Sequence, residues 1–275
     1  MKHHQFSVIH PNAKIGKNVE IGPFTYIEED VVIGDGTWIG SNVSIMNGTR
    51  MGENCKVFQG AIVGSVPQDL KFNNEITYLE IGNNVIIREY CTLNRGTTAA
   101  GKTVIMDNCL LMAYVHVAHD CIIHENCILA NNTNLAGHID VGQYAILGGL
   151  TAVHQFVNIG AHAFIGGGSL VSVDVPPFVR VARTPLSYVG VNSVGLRRRG
   201  FTNDQINNIT DIYRILFVKG FNHKTAMQII KNEKGSSEEK NLIVDFIDNQ
   251  SKRGIIKGFR SVSNAKILSN GDTVM

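Results

Sequence analysis

Four histidines and one aspartate hold most of the chemistry this sequence offers: His116, His119 and Asp120 in the run His116-Val117-Ala118-His119-Asp120, then His138 and His154. An imidazole titrates near neutral pH and suits general-base work, and a neighbouring carboxylate can hold its tautomer and orientation. His119 with Asp120 fits that pairing. The spacings give the set its meaning. Eighteen residues beyond His119 stands Gly137 and eighteen further stands Gln155, while the same step carries Asp120 to His138 and Ala136 to His154. A chain that winds with this step gathers all of them on one edge, with His116 one short strand ahead. Glycine lets a substrate approach closely, so the Gly137 N–H can face a developing oxyanion. Such parts suit acyl transfer to a hydroxyl without a covalent enzyme intermediate, or hydrolysis with water as the nucleophile.

The winding itself is visible as a period of six. From Ile15 to Val171 every sixth residue is large and apolar, with Asp69, Glu75 and Ala99 as the breaks. Neither a helix, at 3.6, nor a lone strand, at 2, has this period, and hexapeptide repeats fold as a parallel β-helix. Four residues after each aliphatic comes a small or β-branched side chain, such as Val19, Thr25 or Val31. All five cysteines (Cys55, Cys91, Cys109, Cys121 and Cys127) fall in this slot. A free cysteine is a compact apolar group, so the slot accounts for each one and no disulfide framework is expected. Turn formers such as Asp35-Gly36 and Asn47-Gly48 mark the corners. Each hexad is then a strand plus a corner, and three hexads make a triangular coil that stacks on the next at about 4.8 Å. Each coil buries three aliphatics at roughly 2 kcal/mol apiece before the entropy of ordering the chain is subtracted.

Counted from their own aliphatics, His116, His119, His138 and His154 stand 5, 2, 3 and 1 residues on. Their side chains therefore need not converge on one ion. Zinc is the competing chemistry, but no metal and no other cofactor is expected. His124 and His162 read as exposed corner residues. The breaks in the repeat keep its phase: residues 65–78 lose the pattern, which returns at Ile81, and residues 97–102 form a shorter excursion. Both are read as loops on a rigid scaffold, where function concentrates.

The 275 residues are 44% hydrophobic, ample for a core, and no apolar run approaches membrane-spanning length. With no signal-peptide core at the N-terminus and cysteines confined to repeat slots, a reducing cytoplasmic setting is expected. The net charge of +2 hides an asymmetry, because residues 185–275 carry 14 Lys/Arg against 8 Asp/Glu and the rest of the chain is acidic. The C-terminal part is the likelier face for an acidic partner. The reading is mainly β: a β-helix over residues 1–184, a C-terminal helical domain over 185–260 and a frayed tail over 261–275. The β-helix is expected to stop at Val175-Pro176-Pro177, since proline cannot donate to a sheet ladder. Beyond it, Thr202-Asn203-Asp204-Gln205 is a capping box opening a helix to about Lys219, a second helix runs from Thr225 to about Glu233, and a third opens at Ser236-Ser237-Glu238-Glu239 and ends near Gly254.

With the histidine edge in place, the chain resembles the hexapeptide-repeat acyltransferases, and among them the bacterial UDP-N-acetylglucosamine O-acyltransferases of lipid A biosynthesis. The stretches that carry the resemblance are Val63-Gly64-Ser65-Val66-Pro67-Gln68-Asp69-Leu70-Lys71, His116-Val117-Ala118-His119-Asp120-Cys121, Leu135-Ala136-Gly137-His138, Gly149-Leu150-Thr151-Ala152-Val153-His154-Gln155-Phe156, Gly190-Val191-Asn192 and Gly195-Leu196-Arg197-Arg198-Arg199-Gly200-Phe201. The resemblance implies a left-handed coil and a homotrimer with active sites between neighbouring prisms. It implies transfer of a 3-hydroxyacyl chain from acyl carrier protein to the sugar 3-hydroxyl, with His119 as base, Asp120 as its support and the Gly137 N–H at the oxyanion. Gln68, Asp69, Lys71, His116, His138, His154, Gln155, Asn192, Arg198 and Arg199 match positions around the nucleotide sugar. Guanidinium forks suit a diphosphate. Gly167 matches a position that limits acyl-chain length. Two residues depart from the pattern: Val194 stands where relatives often carry glutamate, and Asn94 replaces a histidine in Asn94-Arg95-Gly96. The related amino-group acyltransferase carries an added N-terminal domain, whereas here the repeat begins by Ile9. A metal-dependent carbonic anhydrase on the same coil and a non-catalytic repeat scaffold are the readings from other classes.

Overall fold

A computed structural model describes residues 1–233 and 235–258. The hexads form very short parallel strands, most of two residues, and each strand pairs with the third strand before and after it in the chain. Among the described residues this gives three sheets: a first of twelve strands from Lys2–His3 to Lys257–Gly258, a second of nine from Val8–Ile9 to Leu170–Val171, and a third of eight from Lys14–Ile15 to Asn158–Ile159. They are the three faces of a triangular prism. The aliphatic of each hexad points inward; Ile27, Ile39, Ile45, Ile87, Leu93, Leu111, Ile123 and Leu129 are among those with no exposure at all. Strand residues just before them face outward, as alternation along a strand requires.

The register counts residues per coil. His116 pairs with Asn134, a step of 18, but Thr92 pairs with His116, a step of 24, and Ile62 with Thr92, a step of 30. The two excursions are thus extra hexads, one and two in number. At most corners the third residue after the aliphatic adopts a left-handed backbone, with φ between 54° and 63° at Asn18, Asn42, Asn54, Asn84, Asn108, Tyr114, Asp120, Asn126, Asn132 and His138. Asparagine, aspartate and histidine tolerate this region better than most. The slot of the cysteines is buried and all five thiols are free. It is also a hydrogen-bonding position. Cys55, Cys91, Cys109, Cys121 and Cys127 donate to the carbonyls of Gly82, Met112, His124, Ala136 and Gly142 in the next coil, at 3.0–3.2 Å, just as Thr25 donates to Gly40.

The first sheet outlives the prolines. Val179–Ala182 pairs in parallel with Phe164–Ile165, and Ser187–Val191 folds back antiparallel on it. A boundary at 184/185 therefore falls inside a hairpin; Pro176 and Pro177 precede the strand and cost it no ladder donor. Among the described residues four helices come after the hairpin: α1 (Ser193–Arg198), α2 (Asn203–Phe217), α3 (His223–Glu233) and α4 (Glu238–Asp248). The capping box at Thr202 and Gln205 is formed with both reciprocal bonds. α4 stops six residues short of Gly254 because buried Asp174 captures the chain just beyond the helix: Ser251 donates to its carboxylate through both N and Oγ, at 2.6 and 2.8 Å. No described helix is long and apolar enough to cross a membrane, and the expected tail at 261–275 lies outside the described residues.

Candidate active site

The corner between the second and third sheets carries both excursions and every residue of the histidine edge except His116. Going up the prism it is formed by residues 66–77, 95–101, 118–121, 136–139 and 154–157, each lying between a strand of the second sheet and the next strand of the third. The repeat thus brings His119, Asp120, Gly137, His138, His154 and Gln155 together on successive coils. His116 lies on the adjoining strand, His116–Val117.

At the centre, His119 Nδ1 lies 2.8 Å from Asp120 Oδ2. An ionised carboxylate only accepts, so Nδ1 bears the proton and Nε2 presents its lone pair outward. The ring sits directly over Gly137. A β-carbon there would stand 2.6 Å from His119 Cε1 and 2.7 Å from Nε2, so only glycine leaves room. Among the described residues no backbone acceptor takes the Gly137 N–H. Asp120 is fully buried at its side chain. Burial alone would raise its carboxyl, but the Thr97 hydroxyl, His119 and the Thr97 amide more than offset that and hold it below the usual carboxylate range. Thr97 N and Oγ1 donate to Oδ1 and Oδ2 at 2.8 and 2.7 Å, and Thr103 Oγ1 accepts from the Asp120 N–H at 2.8 Å.

His138 stands edge-on to His119, with centroids 5.1 Å apart, and stacks on Phe156; its Nε2 is 3.6 Å from Asp120 Oδ2. His116 Nδ1 is 2.7 Å from Thr92 Oγ1, and burial lowers its pKa. His154 is exposed, and the carbonyl of Gln155 accepts from Arg253 Nε at 3.2 Å. One ligand atom each from His119, Asp120 and His138 fall within 4.8 Å of one another, close enough to hold a cation. The Asp120 oxygens in that group already accept from Thr97 and His119.

Gln68, Asp69 and Lys71 lie on the long loop at the same corner, where Asp69 Oδ1 accepts from the Lys71 N–H at 3.0 Å. Asn192, Arg198 and Arg199 lie elsewhere. Asn192 caps α1 and is buried, its side chain accepting from Gly195 N and donating to the His162 carbonyl. Arg199 comes directly after α1 and lies over the Tyr144 ring, at the corner between the third and first sheets. Its Nη2 donates to the Tyr144 carbonyl, while Nη1 is buried with no hydrogen-bond partner among the described residues. Arg198 and Val194 are exposed. His162, expected at an exposed corner, is instead buried: it stacks between Tyr144 and Phe178 under Phe201, because α1 and its flanks fold over that corner. Gly167 occupies the third corner, between the first and second sheets, near exposed Leu150 and Leu170.

Thr92, Thr97 and Thr103 were not legible as site residues. The signal was present but displaced, since below Asp120 the coil is 24 residues long and the 18-residue step misses Thr97.

Comparison with known proteins agrees with this geometry. The bacterial transferase hexapeptide (six repeats) family model matches residues 30–65 and 102–137, and the UDP N-acetylglucosamine O-acyltransferase domain 2 model matches residues 174–256. Acyl-[acyl-carrier-protein]–UDP-N-acetylglucosamine O-acyltransferases from Aquifex aeolicus and Chlorobaculum tepidum are 56% and 54% identical, each over 94% of this chain and 98% of the relative. The crystal structure of a UDP-N-acetylglucosamine acyltransferase from Bacteroides fragilis superposes with a TM-score of 0.91 at 46% identity, covering 92% of this chain and 99% of that one. The Francisella novicida enzyme gives 0.91 at 37% identity, over 99% and 100%. By its repeat, its histidine edge and these relatives, the chain belongs to the acyl-[acyl-carrier-protein]–UDP-N-acetylglucosamine O-acyltransferase family.

Proposed function

We propose that this chain moves a 3-hydroxyacyl group from acyl carrier protein to the 3-hydroxyl of UDP-N-acetylglucosamine, the first step of lipid A biosynthesis, in the cytoplasm and with His119 as general base. The observation that carries the reading is the buried His119–Asp120 pair with its ring laid over Gly137. His119 Nε2 takes the hydroxyl proton as the sugar oxygen attacks the thioester carbonyl. The tetrahedral oxyanion faces the Gly137 N–H. On collapse the C–S bond breaks and the thiol departs with the proton from His119. Asp120 keeps Nδ1 protonated and stabilises the imidazolium in between. His119→Ala should lower kcat by about 10²–10⁴-fold, measured with UDP-N-acetylglucosamine and a 3-hydroxyacyl carrier protein; full turnover by the variant would remove the role.

The two groups of expected sugar-binding residues sit on different corners of one prism. Gln68, Asp69, Lys71, His116, His138, His154 and Gln155 share the histidine corner, whereas Asn192, Arg198 and Arg199 gather at the corner of Tyr144. A homotrimer in which one prism's histidine corner faces its neighbour's arginine corner would reunite them around a single nucleotide sugar. The buried, unpartnered Nη1 of Arg199 is suited to a diphosphate oxygen from such a ligand. The acyl chain then runs along the second sheet, past outward-facing Asn134, Ala152 and Leu170, toward Gly167. With no side chain at Gly167 the groove admits a chain of about fourteen carbons or more. Gly167→Met should shift donor preference to shorter chains, and an unchanged preference for the longest donor would refute this.

A further inference from the structure

The six extra residues of the shorter excursion sit immediately beneath Asp120, and the chain spends them on one small structure. Thr97 O accepts from Gly101 N at 2.7 Å, closing a turn, and Thr97 Oγ1 accepts from Ala99 N at 3.2 Å inside it. An ionised carboxylate only accepts, so the hydroxyl donates to Asp120 Oδ2 at 2.7 Å while the Thr97 amide donates to Oδ1 at 2.8 Å. Both carboxylate oxygens are thereby fixed in plane, and Oδ2 is aimed at His119 Nδ1. Thr97 is itself buried. The run leading into it, Asn94-Arg95-Gly96, grips both stems of the long loop. Asn94 Nδ2 donates to Ser65 Oγ and the Val66 carbonyl, Arg95 N donates to the Ser65 carbonyl, and Gly96 N donates to the Tyr78 carbonyl.

We infer that Thr97 is a positioning residue for the reaction: the excursion exists to hold the Asp120 carboxylate in the one orientation that keeps the His119 proton on Nδ1. The inference rests on His119 being the base. A single backbone donor to the acidic side chain of the next coil occurs at other corners, as from Lys17 N to Asp35 Oδ1; at Asp120 the excursion adds the Thr97 hydroxyl to the amide. The titratable groups that face Asp120 are His119 and His138. Loss of the Thr97 hydroxyl therefore removes a neutral donor and leaves the local charge unchanged.

Thr97→Val keeps the shape and the amide but deletes the hydroxyl, and Thr97→Ser restores it. Thr97→Val should lower kcat about tenfold or more, a share of what a general base contributes, with KM for the nucleotide sugar changed less than about twofold. Thr97→Ser should recover most of the lost kcat. Nitrogen chemical shifts of 15N-labelled histidine should show the Nδ1–H tautomer of His119 in wild type and Thr97→Ser, and a mixture of tautomers in Thr97→Val. A Thr97→Val enzyme with unchanged kcat and tautomer overturns the inference, as does a loss of activity that Thr97→Ser does not rescue. His119→Ala, assayed in parallel, separates this outcome from failure of the base itself: an active His119→Ala variant sinks the base assignment, whatever Thr97 does.

Discussion

Adding one methyl group to Gly137 would test the site with the least chemical change. The new β-carbon would stand 2.6–2.7 Å from the His119 ring, which must swing away, while the N–H proposed for the oxyanion stays in place. Gly137→Ala should therefore lose about a hundredfold in kcat or more with a melting temperature close to wild type. His162 gives a residue-scale prediction about stability. Burial, and then the Arg199 charge, push its imidazole down to about 4, whereas the unfolded chain protonates near pH 6.5. Between these values the unfolded state binds a proton that the native state refuses, so stability falls as pH drops from about 6.5 to about 4 and is unaffected above it. His162→Phe, with a ring already used at the same corner position in Phe156 and Phe178, should flatten that slope in melting temperature against pH. At this scale the sequence was most legible where the coil is regular. His119, Gly137 and His138 emerge from a step of 18, Thr97 is hidden by a step of 24, and the burial of His162 depends on α1, which local sequence did not announce.

Within an element the hexad does more than pack. Thiols and hydroxyls share one slot because each can reach a carbonyl of the next coil, which the sequence shows only as smallness. Burial pushes the Cys55 thiol up to about 11 and those of Cys91 and Cys121 up to about 12. Titration with an aromatic disulfide reagent should find these thiols silent in the native protein and reactive after unfolding. Replacing Ile123, which has no exposure and belongs to a coil stacked on both sides, is more serious. Ile123→Ala should cost about 2–5 kcal/mol, and Ile123→Asp should unstack neighbouring coils, both measured by denaturant unfolding. The helices were partly legible for the same local reasons. α2 announced itself through its capping box, but α1 is six residues held by Asn192 against His162, and α4 is cut short by Asp174; both controls come from residues distant in sequence.

For the whole molecule, the proposed homotrimer would make assembly part of catalysis, because the histidine and arginine corners lie apart on one prism. Light scattering should give about three times the chain mass of 30.1 kDa. Mixing inactive His119→Ala and Arg199→Ala chains by co-expression should restore turnover, since some clefts then receive a wild-type histidine corner from one subunit and a wild-type arginine corner from another. Absence of recovery in mixed oligomers would place both groups within one subunit's reach. The fold and its three faces were legible from a single period, whereas the proposed meeting of two corners belongs to a surface that no periodicity describes. The way both excursions rejoin the prism has a further consequence. Each leaves at one corner and returns on the neighbouring face, where the aliphatics beyond it resume their own six-residue spacing, so the facing of later side chains is set by those aliphatics and not by the length of what precedes them. New recognition loops can therefore be spliced into this corner, or pruned from it, without retuning the coils beyond.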